Sequence, residues 1–193
     1  MSEKKTHTAK VVLAGLSSVG KTAIVTRYCK GTFGDDIDPT IGASYLKETV
    51  ETDKRIVSFE IWDTAGQEVY QSLTATFFKE ACAAILVYDI TNRMTLKGLD
   101  VYAKQIAENC PQNCVVAVVG NKNDLDNERQ IPIEEGRAYA ESIKSSIFIE
   151  TSALTGENVR ILFESIAQCE KLPFNETEVL SLIPAKKRQK CNC

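Results

Sequence analysis

Residues 15–22 read GLSSVGKT, two glycines five positions apart followed at once by lysine and threonine. This fits the pattern G-x-x-x-x-G-K-[ST]. Glycines let the backbone bend so that successive N–H groups aim at one anion. Lys21 can reach the terminal phosphates, and the Thr22 hydroxyl can bind a divalent cation. An apolar run, Val11-Val12-Leu13-Ala14, precedes the loop, and a helical pattern follows whose positive N-terminus faces the same anion. The chemistry implied is nucleoside triphosphate binding, which kinases and ATPases share.

The base is read further on. NKND, Asn121 to Asp124, follows the apolar run Val115–Val119, at a strand end where an open α/β sheet forms its ligand crevice. Guanine offers two donors on one edge, N1–H and the 2-amino group, and a fixed carboxylate at Asp124 accepts both. Adenine cannot supply that pair. Lys122 can lay its alkyl stem along the ring. ETSA, Glu150 to Ala153, follows another apolar run, and its backbone N–H groups can meet guanine O6. WDTAGQE, Trp62 to Glu68, supplies Asp63 for Mg²⁺, the Gly66 N–H as a sensor of the γ-phosphate, and Gln67 to orient an attacking water. In PTIG, Thr40 offers a second hydroxyl for the metal.

These groups need a scaffold that ends several strands at one edge. Val11–Ala14, Ala83–Tyr88, Val115–Val119 and Ile147–Ile149 are short unbroken apolar runs, as in strands covered on both faces. Leu96, Leu99, Ala103 and Ile106 share one helical face, as do Val159, Leu162, Phe163 and Ile166. Tyr45–Thr52 and Arg55–Trp62 read as a hairpin turning at Asp53-Lys54. The alternation predicts an α/β fold, a doubly wound, six-stranded, mostly parallel sheet with one antiparallel edge strand and helices on both faces. Periodicity fades after Leu172, so the reading divides the chain into a short extension over 1–8, one domain over 9–172 and a flexible tail over 173–193.

Composition narrows the partners. Of 23 basic residues, Lys186, Lys187, Arg188 and Lys190 sit in the tail, leaving 19 against 26 acidic ones, a body of −7. Such a body argues against a nucleic-acid polymer as partner. MSEKKTHTAK lacks the apolar core of a signal peptide, Ser2 breaks the myristoylation pattern, and no apolar run nears the length of a spanning helix. Seven scattered cysteines, an odd number, suggest reduced thiols in the cytosol. Cys110 and Cys114 invite a metal reading, but with no second pair and His7 as the sole histidine, buried or half-buried thiols fit better.

Taken together, GLSSVGKT, TIG, WDTAGQE, NKND and ETSA resemble the Ras-superfamily small GTPases over about residues 9 to 170. TIGASY, the Trp of WDTAGQE, the AAILVYDIT run and the two-cysteine ending resemble the Rab branch, and FEIWDTAGQE with YQSL resembles its early-endosomal members. The resemblance implies a nucleotide site of Ser17, Ser18, Val19, Gly20, Lys21, Thr22, Ala23, Phe33, Thr40, Gly66, Asn121, Lys122, Asp124, Ser152, Ala153 and Leu154. Phe33 would stack at the guanine edge. Gln67 and Lys21 would act in catalysis, and Thr22, Thr40 and Asp63 would serve Mg²⁺ beside GTP or GDP. It implies slow intrinsic hydrolysis raised by an activating protein, and cycling with an exchange factor, a GDP-dissociation inhibitor and effectors. The expected state is a monomer on the cytoplasmic face of an intracellular membrane, an endosome favoured, in vesicular trafficking. The sequence departs from relatives at Leu16, Ile37, Val69 and Leu154, where acidic, aromatic, Arg and Lys residues are common.

The ending KKRQKCNC is not the C-a-a-X pattern. It resembles the doubly geranylgeranylated ends of Rabs, with Cys191 and Cys193 as acceptors. One lipid chain anchors marginally and two signals hold, and the four cations would add roughly 1 kcal/mol each near an anionic leaflet. A solubilising tail with idle thiols, or a local disulfide, is the alternative. For the body, two rival readings stand: a scaffold that binds GTP with negligible hydrolysis, and an ATP-using kinase or ATPase, which Asp124 opposes.

Overall fold

The computed structural model describes residues 4–34, 40, 42–65 and 76–174. Six strands, β1 (Thr6–Ala14), β2 (Ala43–Glu51), β3 (Ile56–Thr64), β4 (Ala83–Asp89), β5 (Val115–Asn121) and β6 (Ile147–Thr151), form one sheet in the order β2-β3-β1-β4-β5-β6. Only the β2–β3 pairing is antiparallel; β1 pairs parallel with β3 and β4, and β5 with β4 and β6. The helices are α1 (Lys21–Lys30), α2 (Arg93–Lys97), α3 (Leu99–Asn109), α4 (Ile133–Ser142) and α5 (Val159–Gln168), with a 3₁₀ segment at Asn123–Glu128. Among the described residues no helix is long and apolar enough to cross a membrane.

The apolar runs are unbroken because both faces of the sheet are covered. Side chains alternate along a strand. Val11, Leu13, Ile85, Val87, Ala117 and Val119 therefore pack toward α1 and α5, with Ile24, Leu162, Phe163 and Ile166. Val12, Ala14, Leu86, Tyr88 and Val118 take the other face, under Leu96, Leu99, Tyr102, Ile106 and Ala140. Every residue of β4 is buried. This is the doubly wound architecture that the alternation predicts.

Boundaries differ from the sequence expectation where polar residues pair. β1 reaches back to Thr6 because Thr6, His7 and Thr8 join β3 at Ile56, Val57 and Ser58. β5 runs on to Asn121, whose partners on β4 and β6 are Asp89 and Thr151. The hairpin turn spans four residues: Thr52 N–H donates to the Arg55 carbonyl at 2.8 Å, and Arg55 N–H donates to the Thr52 hydroxyl at 3.1 Å. The face through Leu96, Leu99, Ala103 and Ile106 is shared by two helices rather than one. The break comes at Gly98, where an added Cβ would lie 2.6 Å from the Leu16 side chain. At the far end, Phe174 stacks on His7 with centroids 4.3 Å apart, and the Arg55 guanidinium lies 4.9 Å from the Phe174 ring.

Candidate functional site

The phosphate loop joins β1 to α1 with three left-handed backbones, Gly15 (φ 146°), Ser18 (φ 63°) and Gly20 (φ 96°). Positive-φ residues spaced through a loop can turn neighbouring N–H groups into one concavity that suits an anion. Two of these positions also admit no side chain. A Cβ on Gly15 would stand 2.2 Å from the Val87 carbonyl oxygen, and one on Gly20 would stand 2.2 Å from Asn121 Nδ2. Lys21 opens α1, is only 5% exposed, and curls back over the loop, donating to the Gly15 carbonyl at 2.8 Å and the Leu16 carbonyl at 3.0 Å. Burial pushes its amine down to about 8, against a smaller upward pull from Asp63. Leu16 packs against both apolar cores and over Gly98, so an apolar residue at this loop position is accounted for by packing.

Three oxygens converge beside the loop. Thr22 Oγ1 on α1 donates to Asp63 Oδ2 on β3 at 2.7 Å and lies 2.9 Å from Thr40 Oγ1. Thr40 Oγ1 donates to the same carboxylate oxygen at 3.4 Å. Asp63 is fully buried, and burial raises its pKa. The Thr22 hydroxyl, Lys21 and the hydroxyls of Thr40 and Ser44 offset part of that rise. Its second oxygen, Oδ1, is buried without a hydrogen-bond partner. A buried carboxylate with one orphaned oxygen, flanked by two hydroxyls, fits a hard cation that takes one carboxylate, hydroxyl oxygens and water. The residues present therefore suit Mg²⁺.

The base-side residues are held by ties that spacing does not reveal. Asn121, 1% exposed at the end of β5, donates from Nδ2 to the Val19 carbonyl at 2.9 Å. Its Oδ1 accepts from Thr151 Oγ1 at 3.1 Å and Ala153 N–H at 3.3 Å. One side chain thus joins the phosphate loop, β5 and the loop after β6. Lys122 sits in the left-handed region (φ 68°), and its ammonium pairs with Asp89 at 2.6 Å. Asp89 is itself fixed by Thr91, whose N–H and hydroxyl donate to Oδ1 at 2.8 and 2.7 Å. Asp124 Oδ1 accepts from the Ser152 hydroxyl at 2.5 Å, and Ser152 Oγ accepts from Thr155 N–H at 3.0 Å. Ser152 therefore orients the carboxylate that would read guanine.

Arg27, absent from the sequence reading, braces the same region. From α1 its Nε donates to the Ala153 carbonyl at 2.8 Å, Nη1 to the Gly31 carbonyl at 2.9 Å, and Nη2 to the Leu154 carbonyl. Asp89 and Thr91 were missed as well. The sequence signals nothing more about Arg27 than a cation in the last turn of a helix. Phe33 is 37% exposed and Leu154 50% exposed, two apolar side chains left at the surface. Gly66, Gln67, Ile37, Val69, Cys191, Cys193 and the four tail cations lie outside the described residues.

One further surface lies across the sheet from the cation oxygens, one residue away along β3. Tyr45 on β2 meets Trp62 on β3 edge-on, centroids 5.3 Å apart, and Trp62 meets Phe77 at 5.4 Å, with the Lys10 ammonium 5.6 Å from the Trp62 ring. Tyr45 remains 48% exposed. Comparison with known proteins finds a match to the family model described as Ras family over residues 10–171, a span that includes every described residue of this site.

Proposed function

We propose, from the premise that the chain belongs to the Ras family and is a GTP-binding small GTPase switch, that it governs vesicular membrane traffic on the endocytic side, recruiting effectors when GTP-loaded and releasing them with GDP. The observation that carries the switch is the meeting of Thr22, Thr40 and Asp63. Thr40 lies between α1 and β2 and is held through hydroxyl contacts at 2.9 and 3.4 Å. Its hydroxyl stands among the groups that would hold the cation, so its position is coupled to what occupies the cleft.

The loop amides and the Lys21 ammonium meet the β- and γ-phosphates, while Asp124, set by Ser152, selects guanine. Asn121 keeps the two halves of the site in register. A magnesium ion, held by Thr22, Thr40 and Asp63, would supply charge neutralisation at the phosphates. Gln67 aligns the attacking water. Arg27, the arginine of α1, is committed to the Gly31, Ala153 and Leu154 carbonyls, and turnover is slow until an activating protein contributes an arginine, a gain of about 10³ to 10⁵ in this reaction class.

The trafficking role draws support from TIGASY, AAILVYDIT and the C-x-C ending, and from the aromatic row Tyr45–Trp62–Phe77. An exposed aromatic group beside a nucleotide-dependent segment suits a partner that distinguishes the two states. Prenylation at Cys191 and Cys193, with the tail cations against an anionic leaflet, would hold the monomer on the cytoplasmic face of endosomes, and a GDP-dissociation inhibitor would retrieve it.

Single-turnover hydrolysis by wild type and Gln67→Leu, with an activating protein present, tests the chemistry; equal rates remove Gln67 from the mechanism. Imaging tagged Gln67→Leu in its own cells tests the compartment. An even cytosolic distribution would overturn the membrane assignment.

A further inference from the structure

Away from the nucleotide site, the loop between α3 and β5 opens on a cavity of about 540 Å³ whose wall includes Leu86, Ile106, Val116 and Ile143. Two cysteines line it together, Cys110 and Cys114. Cys110 caps the end of α3, its N–H bonded to the Ile106 carbonyl at 2.9 Å. The chain then folds back on itself, Cys114 N–H donating to the Pro111 carbonyl at 2.9 Å. Both thiols are free and half-buried, they stand at the two ends of one tight turn, and the Cys114 sulfur lies 3.9 Å from the Val115 carbonyl oxygen.

We propose that Cys110 and Cys114 form a redox-active dithiol, a modification site closed to a disulfide by hydrogen peroxide and reopened by thiol reductants. The roles follow from the two environments. The neighbouring Cys114 side chain, with Lys10 adding positive potential, holds Cys110 below the ordinary thiol range although burial opposes it. The proximity of Cys110, with burial, pushes the Cys114 thiol well above the ordinary range. The more ionised sulfur attacks and the protonated one resolves.

The Cys110 thiolate attacks one peroxide oxygen, forming S–O as O–O breaks. The leaving hydroxide takes a proton and departs as water. Cys114 then attacks the sulfenic sulfur; S–S forms, S–O breaks, and the Cys114 proton leaves with the hydroxide as a second water. Two thiols give up two electrons, and one peroxide becomes two waters. A soft-metal use of the same pair is not favoured, since the described residues hold no group of three or more His, Cys, Asp or Glu able to bind a metal.

The full chain offers a direct readout. Trypsin releases residues 105–122 as one peptide carrying both cysteines, because Lys104 precedes it and Lys122 ends it. Recombinant full-length protein would be titrated with hydrogen peroxide, blocked with iodoacetamide and digested. The expected result is this peptide unalkylated and lighter by two hydrogens, at peroxide levels that leave Cys29 and Cys169 alkylated, and restored to the doubly alkylated form by dithiothreitol. In Cys114→Ser, dimedone should label Cys110; in Cys110→Ser, low peroxide should leave Cys114 alkylatable. Double alkylation of the peptide at levels that oxidise Cys29 or Cys169 overturns the site. Dimedone on Cys114 in Cys110→Ser, with none on Cys110 in Cys114→Ser, overturns the assignment of roles.

Discussion

Asn121→Ala should uncouple the phosphate loop from the base-side loops. Asn121 makes three hydrogen bonds, to the Val19 carbonyl, the Thr151 hydroxyl and the Ala153 N–H, at 2.9, 3.1 and 3.3 Å. It is nearly inaccessible, so water cannot replace the lost partners without opening the fold. At about 1 kcal/mol net per bond, loss of the three bonds costs about 3 kcal/mol. If that cost is expressed as disorganisation of the site, GDP leaves on the order of 10² times faster, since 1.4 kcal/mol is about a factor of ten. Release of a fluorescent GDP analogue measures this, alongside denaturant unfolding of the GDP-loaded protein. Thr151→Val is the companion: it removes one of the three bonds, keeps the shape, and touches neither Val19 nor Ala153, so it should cost about 1 kcal/mol. Wild-type GDP release and an unchanged unfolding midpoint in Asn121→Ala would refute the coupling. Thr151→Val as damaging as Asn121→Ala would also refute it, because the tie to Val19 would then be irrelevant.

Gly20→Ala should fail on two grounds, a left-handed backbone at φ 96° and a Cβ 2.2 Å from Asn121 Nδ2; a loss of about 2 kcal/mol or more in thermal unfolding, together with weakened GTP binding, is expected. Arg129→Met removes the partner that donates to both Glu150 oxygens at 2.7 and 2.8 Å; the Glu150 side chain is only 9% exposed, so stranding its charge should cost about 3 kcal/mol by denaturant titration. Burial raises the Cys29 thiol to about 11, so at pH 9 only about 1% is thiolate. Alkylation of Cys29 should therefore lag that of Cys110 and climb as pH rises toward 11. Because the folded pKa lies above the unfolded one, this thiol's share of stability is intact below about pH 9 and declines as pH passes through 11.

Sequence carried the architecture wherever burial leaves a periodic trace. Ala83–Tyr88 is continuous because β4 is central and covered on both faces; Val159, Leu162, Phe163 and Ile166 repeat because α5 shows one side to that core. Motif residues were legible for a different reason: phosphate, cation and base each demand particular donors at fixed chain positions. Polar ties across the fold leave no such mark. Nothing near Arg27 announces that it will reach carbonyls of Ala153 and Leu154, and nothing in NKND says that Asn121 grips Val19 while Lys122 turns to Asp89. The β1 extension to Thr6 was hidden likewise, since Thr, His and Lys join a ladder through backbone groups that carry no composition signal.

Asp63 and Trp62 are consecutive on β3, and consecutive strand residues project to opposite faces of the sheet. The carboxylate beside the cation oxygens is therefore one peptide unit from the centre of the aromatic row, and Trp62 is the only tryptophan in the chain. The molecule carries its own optical gauge. Any displacement of β3 that accompanies exchange of nucleotide would alter the indole's surroundings, so the emission of unlabelled protein could follow loading and hydrolysis in real time.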